Sequence, residues 1–211
     1  MANRVVHAGS PVETADAAII MIHGRNAAPE NILDLLPVLD RPRFAALAPA
    51  AAEGAWYPYS FMAEREKNEP GITNGLAQIG TLVSELTTLG YPSHKIMLLG
   101  FSQGACLTAE FAMRNPQRYG GVMVLSGGLI GPPGTRWDDV EGSLDSTPVF
   151  LGCSDVDSHI PATRVLESEA VFTKLGAQVT RKLYPGMGHL VNKDEIGNVQ
   201  RVMDEVLASP R

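Results

Sequence analysis

Apolar residues are distributed along this chain in two alternating patterns. Short, nearly unbroken apolar runs at Ala17–Ile22, Phe44–Leu47, Lys95–Leu99, Gly121–Leu125 and Pro148–Gly152 predict strands, and Gln178–Leu183 is strand-like without being apolar throughout. Between them, apolar residues recur at helical spacing. Ile32, Leu35, Leu36 and Leu39 predict a helix that Pro37 shortens or kinks. Ile72, Leu76, Ile79, Val83 and Leu86 predict a longer one that stops at Gly90. Ala105–Arg114, Pro161–Leu175 and a terminal stretch with Ile196, Val199, Val202 and Val206 complete the set. Strands alternating with helices, without a repeat or a linker, predict an α/β fold in one domain over 1–211, its mostly parallel central sheet flanked by helices. Pro49–Pro70 and Gly127–Thr147 read as loops, and loops after the strands of such a sheet form its binding crevice. Little length is left for a large lid.

Composition narrows the function classes. The 211 residues are 45% hydrophobic and 19% charged, enough for a substantial core, and a net charge of −6 gives no reason to expect nucleic-acid binding. No segment approaches the roughly 18 apolar residues of a membrane span. The Met1–Gly9 stretch, with Arg4 and His7, lacks the apolar centre of a secretory signal, so a cytoplasmic protein is expected. Cys106 and Cys153 suggest neither a zinc site nor a disulfide framework; both are expected reduced, and no metal or cofactor is called for.

The chemistry concentrates at Gly100-Phe101-Ser102-Gln103-Gly104, between a predicted strand and a predicted helix. A serine at the apex of so sharp a turn takes up a strained backbone, and glycines two residues either side remove side chains that would collide. Its hydroxyl needs a neighbouring base. His189 supplies one in the loop Tyr184-Pro185-Gly186-Met187-Gly188-His189, after a predicted strand. Two aspartates compete to orient that histidine, because the predicted strand 148–152 runs into a loop carrying Asp155 and Asp157. Spacing back from Pro161, read as the first residue of the next helix, favours Asp157, with Asp155 bracing the turn. His23-Gly24-Arg25-Asn26, ending the first core strand, offers the Arg25 amide as one oxyanion donor, and the Gln103 amide is the other. His23 itself precedes the serine in the chain and is read as support for that turn.

Together these residues resemble the phospholipase/carboxylesterase family of α/β-hydrolases, which includes acyl-protein thioesterases and small bacterial carboxylesterases. The likeness extends to Trp56-Tyr57-Pro58-Tyr59-Ser60-Phe61, Ser126-Gly127-Gly128, Ile160-Pro161 and Gly186-Met187-Gly188-His189. It implies a single-domain α/β-hydrolase with esterase or thioesterase chemistry on Ser102, His189 and Asp157 and without a metal; the lack of length for a large lid favours small, soluble esters or thioesters. Arg25-Asn26-Ala27 departs from the apolar residue and Gly-Asp that family members often carry after His-Gly. Cys153-Ser154 stands where many relatives have a second His-Gly. Trp56 and Tyr57, with Leu129 and Ile130 opposite, are expected to line the substrate pocket, and Arg25 could attract an anionic group at its mouth. Three alternatives stay open: a dienelactone hydrolase-like enzyme, weakened by serine at the apex; a silent ligand-binding or signalling module on the same fold; and a thioesterase acting on lipidated proteins. An apolar surface beside the crevice could support a homodimer, but no residue identifies one.

Overall fold

The computed structural model describes residues 4–210; Met1–Asn3 and Arg211 lie outside the described residues, and with them part of the Met1–Gly9 stretch and both ends of the span 1–211. Seven strands form one sheet: β1 (Val5–Gly9), β2 (Ala17–Ile22), β3 (Phe44–Pro49), β4 (Ile96–Phe101), β5 (Gly121–Leu125), β6 (Pro148–Ser154) and β7 (Gln178–Tyr184). Their spatial order is β1-β3-β2-β4-β5-β6-β7. All neighbours run parallel except β1, which pairs antiparallel with β3 from Val5 opposite Pro49 to Gly9 opposite Ala45. Every residue of β2, β3 and β5 is buried, because helices cover both faces, and this is why these strands read as unbroken apolar runs. No such run marks β1. It is a half-exposed edge strand, Val-Val-His-Ala-Gly, stabilised by a single partner, and it went unread in the pattern.

Among the described residues, α1 (Pro29–Leu33), α2 (Leu36–Leu39), α3 (Gly71–Thr88), α4 (Gln103–Arg114) and α5 (Ala162–Lys174) lie between strands, and α6 (Lys193–Ala208) follows β7. The helix predicted around Ile32–Leu39 is two short ones. Pro37 falls in the first turn of α2, where its missing N–H has no helical acceptor to lose. Gly90, at φ +94°, ends the long α3 as expected. Pro161 caps α5 with extended backbone instead of opening it, and Asn192 caps α6 through a reciprocal pair with Glu195.

Alternate strand residues point to opposite faces. Ile20, Ile22, Leu98, Val122 and Val124 meet Ile72 and Ile79 of α3, Leu107 of α4 and Phe172 of α5 in one core. Ile19, Met21, Met97, Leu99, Met123 and Leu125 meet Ile32, Leu39 and the Val199, Val202, Met203 and Val206 stripe of α6 in the other. The long 127–147 connection is held by Arg164 of α5. Its buried guanidinium donates to the carbonyls of Leu129, Gly131 and Pro132 and lies over the rings of Phe61 and Trp137. No described helix is long and apolar enough to cross a membrane.

Candidate active site

The parallel strands β4, β6 and β7 end at the same edge of the sheet, and each delivers one chemically distinctive residue there. After β4 the chain turns through Ser102 at φ 56° and ψ −122°, a conformation side chains rarely adopt, and enters α4 at Gln103. The Ser102 amide donates to Leu125 O at 3.0 Å, which ties the turn to β5. The glycines have a direct steric cause. A Cβ on Gly100 would sit 2.3 Å from Gly104 O, and one on Gly104 would sit 2.2 Å from Ile22 O. The α4 axis therefore starts against the end of β2 and aims its first amides over the strand ends.

The His189 Nε2 atom lies 2.8 Å from Ser102 Oγ, and Nδ1 lies 2.8 Å from Asp157 Oδ2. A carboxylate facing Nδ1 places the ring proton there and leaves the Nε2 lone pair toward the hydroxyl, which can then donate its proton. The imidazole is packed between the rings of Phe101 and His159, with centroids at 5.0 and 4.8 Å. The Asp157 side chain is fully buried. That burial works against its charge, but the His189 ring and the amides of His159 and Ile160, which donate to Oδ1 at 2.8 and 3.1 Å, outweigh it and leave the carboxyl below its ordinary value. Cys153 Sγ is 3.7 Å from Oδ2. Burial, with Asp157 beside it, pushes that thiol up to about 12, so it stays protonated and faces the carboxylate as a donor.

Asp155 occupies a different position. Its Oδ1 accepts from Gly186 N at 2.8 Å, and Ser154 Oγ accepts from Gly188 N at 3.0 Å, so adjacent residues of the β6 loop staple the loop that carries His189. Gly186 and Gly188, at φ 65° and 77°, permit that loop to turn. The relation of two aspartates to one histidine is thus a division between contact and bracing, and a Ser154 hydroxyl occupies the position where the family often has glycine.

Arg25 and Gln103, whose amides are expected to receive an oxyanion, line the same cleft as Ser102 and His189. Among the described residues neither Arg25 N nor Gln103 N donates to a protein acceptor. His23, behind them, is buried and accepts from Ala51 N through Nε2 at 3.1 Å, while Nδ1 meets Gly24 O at 2.8 Å. Burial lowers its pKa, with the Gly24 carbonyl only partly offsetting, and the neutral Nδ1–H form satisfies both neighbours. Its ring stacks against Trp56 at 5.1 Å, and Trp56 Nε1 donates to His23 O at 2.9 Å.

These groups open into a cavity of about 560 Å3 whose wall includes Gly24–Ala27, Tyr57, Tyr59, Phe61, Phe101, Cys106 and His159-Ile160. Of the four residues expected to line it, Tyr57 does. Trp56, Leu129 and Ile130 do not: they are 4%, 0% and 3% exposed, packed into the core behind the wall, Leu129 and Ile130 drawn inward with the segment that Arg164 holds. The wall they were assigned belongs instead to Phe61, Phe101 and Ile160, each inside a stretch that carries the family resemblance but carrying no local mark that its side chain faces the cavity. Arg25 also differs from expectation. Its guanidinium does not stand free at the mouth but donates to the carbonyls of Tyr57, Pro58 and Tyr59 at 2.8, 2.8 and 2.6 Å. Cys106 and Cys153 are unpaired thiols, and no cluster of metal-ligating side chains occurs among the described residues.

The phospholipase/carboxylesterase family model matches residues 3–207 of this sequence. Acyl-protein thioesterase 1 of Eremothecium gossypii is 29% identical over 160 residues, covering 72% of this chain and 66% of that protein. The Kluyveromyces lactis acyl-protein thioesterase 1 is 30% identical over 139 residues, covering 65% and 61%. The chain thus spans less than two thirds of the length of these curated relatives. Among solved structures, a phospholipase/carboxylesterase from Dyadobacter fermentans superposes with a TM-score of 0.92 at 38% identity, covering 96% of both chains. Acyl-protein thioesterase 2 of Zea mays, at 22% identity and a TM-score of 0.76, covers 97% of this chain and 99% of that one and shares the fold.

Proposed function

The chain belongs to the phospholipase/carboxylesterase family, and from that premise we propose that it hydrolyses carboxylic esters or thioesters through an acyl-enzyme on Ser102. The observation that carries this reading is the unbroken relay Asp157–His189–Ser102, with both links at 2.8 Å, beside two undonated amides. His189 Nε2 takes the Ser102 proton as Oγ attacks the carbonyl carbon. The carbonyl oxygen becomes an oxyanion received by the Arg25 and Gln103 amides, while Asp157 stabilises the imidazolium. His189 then gives the proton to the leaving alcohol or thiol, the C–O or C–S bond breaks, and a water deprotonated by the same Nε2 releases the acid and restores the serine. A cavity of about 560 Å3 supports a small ester or thioester as substrate, since small-molecule sites are roughly 300–1,000 Å3.

The test is labelling with an organophosphonate specific for activated serines, read by intact-mass and peptide mass spectrometry on wild type, Ser102→Ala and His189→Ala. Adduct on Ser102 that disappears in both variants is the expected result. A folded wild type that takes up no label would remove the hydrolase reading and favour a binding module in the same crevice. A second reading, cleavage of a thioester on an acylated protein, is favoured by the acyl-protein thioesterase names of two relatives. Turnover of an acylated peptide well above that of the matching free thioester would select it.

A further inference from the structure

The two residues whose amides face the reaction space also send their side chains to one and the same carbonyl. Arg25 Nη2 and Gln103 Nε2 both donate to Tyr57 O at 2.8 Å. Gln103 Oε1 in addition accepts from Trp56 N at 2.9 Å, and Arg25 continues along the strip to Pro58 O and Tyr59 O. The Gln103 amide is fixed already, as the first residue of α4. The Arg25 amide has lighter support: its peptide plane is shared with the Gly24 carbonyl, which His23 Nδ1 meets at 2.8 Å. Arg25 lies three residues past the end of β2 in an irregular turn, next to Asn26 at φ 58°, where the bond from Asn26 N to Gly54 O is the one backbone–backbone hydrogen bond of the 24–27 stretch among the described residues. A donor for a developing oxyanion is useful only if it is held before the charge appears.

We infer that the Arg25 side chain is a positioning residue for its own backbone amide. By clamping three consecutive carbonyls of the 57–59 strip, which Gln103 holds from the other side, it locks the Arg25 N–H in line with the Gln103 N–H. The inference rests on the serine-hydrolase reading above. It also gives a physical role to a departure of this chain from its family, an arginine where an apolar residue is frequent. Arginine suits the task because its planar fork presents several N–H donors at fixed angles and carries its charge at any working pH. Lysine offers a single ammonium centre in place of the fork, and methionine offers no donor.

The experiment measures kcat and KM on an aryl ester for the full-length wild type, Arg25→Met, Arg25→Lys, Gln103→Met and Arg25→Met/Gln103→Met. Alongside run inhibition by a boronic acid that forms a tetrahedral adduct on serine, thermal melting, and phosphonate labelling of Ser102. Arg25→Met is expected to lower kcat by roughly tenfold to a hundredfold, the scale of losses from slight misplacement. KM should change by less than about threefold, and boronate affinity should fall in step with kcat/KM. Guanidinium ion at sub-denaturing concentration should restore part of the lost rate, where equal sodium chloride does not. The double variant should lose less than the product of the single losses, because both side chains act through Tyr57 O. Should Arg25→Met not fold, Arg25→Lys carries the same comparison.

A labelled, active wild type whose folded Arg25 variants keep its kcat and boronate affinity would overturn the positioning role and leave the hydrolase reading standing. A rise in KM alone would overturn it in favour of direct substrate contact. A folded wild type inert to the phosphonate would overturn both.

Discussion

Ser102 is held at φ 56° between two glycines that cannot be enlarged, and every proposed step of the reaction passes through its Oγ. Ser102→Ala should therefore lower turnover by about a millionfold, the scale seen when a serine hydrolase loses its nucleophile; a tenth of wild-type activity in that variant would mean another nucleophile. The aspartates should separate as clearly. The Asp157 carboxylate contacts Nδ1 and the Asp155 carboxylate accepts from the Gly186 amide, so Asp157→Asn should cost about ten thousandfold in kcat by disturbing the histidine tautomer. Asp155→Asn, which keeps an acceptor for Gly186 N, should cost far less, and the reverse ranking in steady-state kinetics would exchange their roles. At this scale the sequence was informative where chemistry demands one residue type. Ser102, His189 and the preference for Asp157 follow from motif and spacing, whereas the burial of Trp56, Leu129 and Ile130 does not, because an apolar residue on a loop carries no mark of whether it faces a cavity or a core.

Among elements, the approach of α4 to the ends of β2 and β4 is the tightest contact near the site. A methyl group on Gly104 would meet the Ile22 carbonyl at 2.2 Å. Gly104→Ala is thus expected to lose about 1–3 kcal/mol of stability through overpacking, and to lose phosphonate labelling of Ser102 even in the fraction that remains folded; denaturant titration and mass spectrometry check the two effects separately. Helix α5 has the complementary role of holding down the 127–147 connection through Arg164. Arg164→Met strands buried carbonyls of Leu129 and Gly131, and should cost about 3 kcal/mol, read as a lower denaturant midpoint. Strand and helix identities on this scale were legible because parallel strands covered on both faces read as apolar runs and helices as stripes. β1 was not, since the half-exposed Val-Val-His-Ala-Gly is short and has neither an apolar run nor a chemical landmark after it, and neither was the division of α1, which packs on β2 and β3, from α2, which packs on α6.

For the whole molecule, the buried carboxyl of Glu195 makes stability depend on pH. Burial pushes it up to about 7; the Asn192 amide works against the shift, and Oε1 has no partner. The folded protein therefore holds a proton there that the unfolded chain releases at its ordinary value, so stability falls as pH rises between about 4.5 and about 7. The slope from this one group is at most about 1.4 kcal/mol per pH unit. Melting temperatures from pH 5 to 8 should show that decline in wild type and a flatter profile in Glu195→Gln; parallel profiles would show that Glu195 titrates normally. Asp157 acts in the opposite sense, since its lowered value adds stability above the ordinary carboxylate range that is lost on acidification below it.

The sequence by itself determined the alternating α/β architecture, the serine elbow, the histidine loop and the pair of aspartates, because each depends on short-range constraints: strand burial, backbone strain at one turn, and the order of residues along the chain. Tertiary structure alone decided which apolar side chains line the cavity and where the Arg25 guanidinium goes, and it turned the preference for Asp157 into a contact with His189. Those outcomes depend on loops from β2, β3, β5, β6 and β7 meeting at one edge of the sheet. An arginine's choice between an anionic ligand and three carbonyls more than thirty residues away is settled by that meeting, since no local pattern in the chain records the direction in which the strip at 57–59 presents its oxygens.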